Sequence, residues 1–173
     1  MPPRKKIRKN SDPQPASTPP ATAALRPSFA EAPAWKAIGP GWRPLFGSFR
    51  DLGFSFEWHE FTAQQEFDWA RSFHPGSIEL CLNLAGRGKL SDGRQSLELQ
   101  PQTFAFYFQG QPPLTATRRA GEEHRFITIE FSPAFLAEHF RSQSGNVHPL
   151  VNSVVRGEAV ESVVVPPERL AVT

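Results

Sequence analysis

SIELCLNLAGRGKL, residues 77–90, alternates along its first half: Ile78, Leu80, Leu82 and Leu84 fall on one side of an extended chain, Ser77, Glu79, Cys81 and Asn83 on the other. A period of two is the mark of a β-strand, and Gly86 and Gly88 interrupt it where a turn is expected. Asp92-Gly93 follows, a dipeptide that tolerates the positive φ of a tight hairpin, and RQSLELQ pairs back after it. Leu80 and Leu82 are the expected core side of this strand. Glu79 and Asn83 become ligand contacts only if their face turns inward.

The same rhythm extends in both directions. Between Trp42 and Phe73 stand ten aromatic residues, half of the protein's total. GFSFEWHEF puts Phe54, Phe56 and Trp58 on one face against Ser55, Glu57, His59 and Phe61, and AQQEFDWA alternates Gln65, Phe67 and Trp69 with Glu66 and Asp68. Downstream, PQTFAFYFQG, PLTATRR and HRFITIEF continue the series, which predicts eight or nine strands before any substantial helix. That helix is SPAFLAEHFRSQSG, about residues 132–144: Ser132 can cap it, Pro133 suits its first position, Phe135, Leu136, His139 and Phe140 recur at helical spacing, and Gly145 ends it. Many short strands with one late helix predict a mainly β sandwich or barrel. Aromatic alternation suits a barrel with a filled or ligand-holding interior, although any single Phe is buried by default as core.

Charge is unevenly placed. Residues 1–34 hold eight of the eighteen prolines and six basic against two acidic residues, whereas the remainder is slightly acidic. This Pro-rich basic tail has little apolar surface to offset its ordering entropy and is expected to be disordered. PPRKKIRK reads as a solvated, solubilising run before it reads as a nucleic-acid arm or nuclear-import address. The acidic body lacks the charge excess of sequence-independent DNA binding. No apolar run follows the basic start as a secretory signal requires, and none approaches the about 18 residues of a membrane span. Cys81 is the single cysteine and cannot form an internal disulfide, which fits a cytoplasmic location.

Enzyme chemistry finds little footing. GRGKL lacks the spacing and the strand-to-helix setting of a phosphate-binding loop. The five histidines, His59, His74, His124, His139 and His148, contain no H-x-H pair. A three-ligand metal site would have to gather His59, Glu57 and His124, and separate core or surface histidines are the simpler reading. No G-x-S-x-G elbow is present, and Cys81 has no basic neighbour in sequence. The sequence predicts no enzyme, no cofactor and no metal.

The order of segments, ELCLNLAGRGKL, a hairpin, LQPQTFAFYF, then AGEEHRFITIEFSPAFLAEHF, resembles the N-terminal regulatory domain of AraC-type transcription regulators, closest to the siderophore-responsive branch. The resemblance covers roughly residues 42–170. It implies a cupin-like double-stranded β-helix barrel over residues 35–145, a linker-like segment over 146–173, and DNA contact only through a C-terminal helix-turn-helix domain that this sequence does not carry. The implied partner is a small-molecule effector, with a homodimer as a compatible state and no membrane. A stand-alone cupin-type metalloenzyme and a β-rich interaction module are the rival readings. In sugar-sensing relatives, inward side chains on the strand before the helix hold the ligand, and alternation places His124, Phe126, Thr128 and Glu130 there. Apolar count alone would instead bury Ile127, Ile129 and Phe131. Phe56 and Trp58 are the further candidates for a stacking wall.

Overall fold

The computed structural model describes residues 41–143 and 147–169. The basic tail and the helix stop at Gly145 lie outside them.

Ten strands and three short helices make up the described chain: β1 (Trp42–Ser48), α1 (Phe49–Leu52), β2 (Phe54–Thr62), β3 (Phe67–Asp68), β4 (Ile78–Ala85), β5 (Gly88–Ser91), β6 (Ser96–Leu99), β7 (Thr103–Phe108), β8 (Thr115–Arg118), β9 (Glu123–Phe131), α2 (Pro133–Phe140), α3 (Pro149–Val155) and β10 (Val163–Arg169). They form two antiparallel sheets, one of six strands in the order β1-β2-β9-β4-β7-β10 and one of four in the order β3-β8-β5-β6. From β3 to β9 the chain passes repeatedly between the sheets, so neighbours in sequence face each other across a shared interior. The fold is mainly β and cupin-like, as the alternation and the segment order predict.

The corners explain the glycine and Asp-Gly signals. Gly86 turns the chain from β4 into β5 at φ 78°, and a Cβ there would lie 2.3 Å from His124 Nδ1. Only glycine satisfies both demands. In the β5–β6 hairpin, Asp92 Oδ1 accepts the backbone N–H groups of Arg94 and Gln95 at 2.9 and 2.8 Å, and these bonds hold the Asp92 carboxyl below its ordinary range against the opposing effect of its partial desolvation. Asn83 ties two corners together by donating from Nδ2 to the carbonyls of Gly86 and Gln100, both at 2.8 Å.

Three local expectations shift. AQQEFDWA pairs only over Phe67–Asp68, and Trp69 leads into a 3₁₀ turn at Ala70–Ser72. There Trp69 plugs the space between the sheets with no exposure, a tertiary demand stronger than the local alternation. The helix after Ser132 is α-helical over Pro133–Phe140 and 3₁₀ over Arg141–Gln143, with the Ser132 hydroxyl accepting the Phe135 N–H at 3.2 Å. Finally, the segment read as a linker returns to the domain: β10 pairs with β7, placing Val163 beside Phe108 and Val165 beside Phe106, and α3 packs against α2.

Candidate functional site

The six-stranded sheet separates two compartments of opposite character. Its inner face, toward the small sheet, carries Ser55, Glu57, His59 and Phe61 from β2, Glu79, Cys81 and Asn83 from β4, and Tyr107 from β7, all buried. His124, Phe126, Thr128 and Glu130 of β9 join them, at 0, 0, 5 and 4% exposure. The four β9 positions therefore point inward, as the family resemblance implies and against the apolar count, and Glu79 and Asn83 do as well. Phe56 and Trp58 do not join them. They lie on the outer face, half-buried, where Phe56 stacks on Phe46 at 6.3 Å and Trp58 Nε1 donates to Glu60 at 3.1 Å. The stacking-wall expectation is corrected on this point: the polar partners Glu57 and His59 take the inward positions because they are engaged there, and a strand cannot turn both sets to one face.

Arg118, on β8, is the centre of the inner compartment and is fully buried. Its guanidinium lies 3.8 Å from the Phe126 ring centroid and 4.6 Å from that of Trp69, a cation held between π faces. Nη1 donates to Asn83 Oδ1 at 2.6 Å and Nη2 to Cys81 Sγ at 3.3 Å, while Nε has no hydrogen-bond partner among the described residues. Around it the network continues. His59 Nε2 is 2.9 Å from Thr128 Oγ1, and its ring stacks on Phe126 at 4.3 Å. Tyr107 donates its hydroxyl proton to Glu79, and Glu130 binds both the backbone N–H and the Nδ1 of His74, at 3.1 and 2.8 Å.

Titration follows burial. Desolvation, reinforced by the Arg118 charge, holds His59 well below the usual imidazole range, so it is neutral. Burial also lowers His124, whose Nε2 donates to the Arg119 carbonyl at 2.8 Å. Burial pushes the Cys81 thiol up to about 11 despite Arg118, and drives the Tyr107 phenol well above its ordinary value with Glu79 adding to the effect. A protonated thiol is a poor nucleophile. His59 Nε2 stands 3.8 Å from Glu57 Oε2, yet among the described residues no three His, Cys, Asp or Glu side chains are gathered to hold a metal ion.

The outer face is apolar and hollow. Ile78 and Leu80 of β4, Phe104 and Phe106 of β7, and Phe131 of β9 form the floor of a cavity of about 430 Å³. Leu136 and Phe140 of α2 and Val151 of α3 roof it, and Val165 closes one side. Register aligns the floor, with Leu80 opposite Phe106 on one side and Ile129 on the other. Among the described residues, His148, which precedes α3, is the one lining side chain that is not apolar; its ring meets Phe106 edge-on at 5.3 Å. Sequence reasoning missed this cavity. The signal was present in the apolar faces of four strands and two helices, but only the tertiary fold brings those faces to one place.

The model of the family described as the regulatory protein PchR N-terminal domain matches residues 51–171. The chain belongs to that family. This is the AraC-type regulatory domain that the segment order resembles, so the chain is the N-terminal regulatory domain of a transcription regulator. No curated protein matches it. Similar solved structures include the Cupin_2 domain of an XRE family transcriptional regulator from Enterobacter cloacae, 20% identical over 53% of this chain and 95% of that one, TM-score 0.41. An HTH_3 family transcriptional regulator from Vibrio cholerae is 21% identical over 53% of this chain and 50% of that one, TM-score 0.41. Ectoine synthase from P. lautus is 17% identical over 53% and 64%, TM-score 0.38. No helix among the described residues is long and apolar enough to cross a membrane.

Proposed function

We propose that this domain senses a small apolar molecule in the cavity between the outer sheet face and helices α2 and α3, and passes its occupancy to a DNA-binding output domain elsewhere in the regulator. The observation that carries the reading is the contrast in packing. Trp69, Arg118, Tyr107 and Phe126 fill the inner compartment with almost no exposure, whereas the outer face retains a cavity of about 430 Å³. That volume lies within the range of small-molecule sites, about 300–1,000 Å³, and such sites are mostly apolar with few polar groups. His124, Phe126, Thr128 and Glu130 then act as the rigid wall behind the floor strands.

An effector that binds one arrangement of α2 and α3 better than another shifts their population, and coupling of about 1–3 kcal/mol is sufficient for a useful switch. No chemistry on the effector is required.

The test is a thermal-shift screen of aromatic and aliphatic small molecules on the wild type and on Val151→Trp, whose indole fills the cavity. At least one compound is expected to raise the melting temperature of the wild type by mass action, about 2.7 kcal/mol of stabilisation at a hundredfold excess over Kd, and to leave Val151→Trp unmoved. Equal shifts in both proteins would remove the cavity from the function.

A further inference from the structure

His148 has two jobs that its geometry cannot separate. It is the N-cap of α3: its Nδ1 accepts the Leu150 N–H at 3.2 Å, and Pro149 occupies the first helical position behind it. An imidazole nitrogen that accepts a hydrogen bond carries no proton, so the neutral ring holds its proton on Nε2. Nε2 makes no hydrogen bond to any described residue, and the ring lines the apolar cavity at its exposed rim. The capping contact thereby turns His148 into a hydrogen-bond donor at the one polar side chain among the described residues that line this apolar chamber.

We infer that His148 is the specificity and coupling residue of this cavity: Nε2–H donates to an acceptor atom on the edge of an apolar, ring-bearing occupant, and the same contact fixes the tautomer that caps α3. The inference rests on the effector cavity proposed above. Rings suit the chamber because four phenylalanines, Phe104, Phe106, Phe131 and Phe140, line it. An acceptor group placed at the rim suits it, since oxygens there that His148 does not bind remain solvated, whereas acceptors set deeper would be left unpaired against aliphatic and aromatic walls, which is costly. Coupling follows directly. Occupancy holds the ring with its Nδ1 lone pair toward Leu150, which steadies the first turn of α3, and α3 leads through Gly157 toward β10. An occupant without the acceptor fills the cavity and leaves α3 unaffected.

Two fluorescent probes of the same skeleton separate these statements: anilinonaphthalene sulfonate, which carries an anionic acceptor, and N-phenylnaphthylamine, which lacks it. Both are expected to bind the wild type and neither to bind Val151→Trp. His148→Asn keeps a side-chain oxygen that can cap but withdraws the Nε2 donor. It is expected to weaken the sulfonate about tenfold and leave N-phenylnaphthylamine unchanged. Amide hydrogen exchange supplies the coupling readout: the sulfonate slows exchange at Leu150 and Val151 in the wild type, and has no such effect in His148→Asn. His148→Ser, whose hydroxyl can cap but is too short to reach the position of Nε2, serves as a second variant, and circular dichroism confirms that both are folded. Equal sulfonate affinity and equal protection in the wild type and the two His148 variants would overturn the role of His148 while leaving the cavity intact. Retention of either probe by Val151→Trp, or failure of the wild type to bind the sulfonate, overturns the cavity reading and this inference with it.

Discussion

The two faces of the six-stranded sheet invert the usual expectation. The inner face is rich in polar and ionisable side chains yet closed, because most of them have been given neighbours: Arg118 between Phe126 and Trp69, Asn83 on two corner carbonyls, Tyr107 on Glu79, while Arg118 Nε and Trp69 Nε1 have no hydrogen-bond partner among the described residues. Its partner face is almost wholly apolar yet hollow, because the short helices α2 and α3 span the sheet without filling it. Polarity therefore does not mark the hollow compartment here. Directed hydrogen bonds hold side chains in fixed places and let aromatic rings close the gaps, whereas two short helices resting on branched and aromatic side chains match the surface beneath them only in part.

The largest effect should come from unplugging the closed side. Trp69→Ala is expected to cost about 3–5 kcal/mol in urea denaturation, since Trp69 is fully buried and touches Phe73, Tyr107 and Phe126. A loss under about 1 kcal/mol would mean that the inner compartment tolerates a void and is itself chamber-like.

A pair of enlarging substitutions tests the contrast from the other direction. Ala105→Leu, at a position with no exposure on the inner face, should destabilise by about 1–3 kcal/mol through overpacking. Val151→Phe, into the outer cavity, should be neutral or stabilise by up to about 2 kcal/mol. Equal penalties would erase the distinction between the faces.

Acid probes the same boundary through His59 and His124. Both titrate below their ordinary value in the folded chain, so between that lowered value and about 6.5 the unfolded chain binds more protons and stability falls as pH falls. Above about 6.5 both states are neutral at these sites and no dependence is expected from them. The slope for one fully neutral buried histidine approaches about 1.4 kcal/mol per pH unit, and His59→Gln should flatten it by the His59 share. An unchanged slope would place the titration elsewhere.

The smallest effect concerns the roof. Ser132→Ala removes the hydroxyl that caps α2 and should cost about 1 kcal/mol in thermal or urea unfolding. It should also loosen hydrogen exchange in α2 more than in β9. Uniform loosening would show that roof and floor unfold as one unit.

The β-strands were legible because period-two alternation is local: Ile78 to Ala85, Phe54 to Thr62 and Glu123 to Phe131 each announce themselves without help from the rest of the chain. So were the Gly86 corner, the Asp92 hairpin and the Ser132 cap, since each depends on the conformational freedom or the hydrogen bonds of a few adjacent residues. Which face of a strand points inward came from the family resemblance for β9 and was hidden for β2. On both, polar and apolar sets alternate equally well, and the choice depends on partners far away in sequence, such as Thr128 for His59 and Trp42 for Glu57. Arg118 looked like an ordinary strand residue in PLTATRR. Its burial follows from Asn83, Cys81, Trp69 and Phe126, supplied by three different segments. The return of β10 to the sheet and the cavity beneath α2 and α3 likewise came only from tertiary structure, because a space is defined by the surfaces that fail to meet across it, and no local pattern encodes that failure.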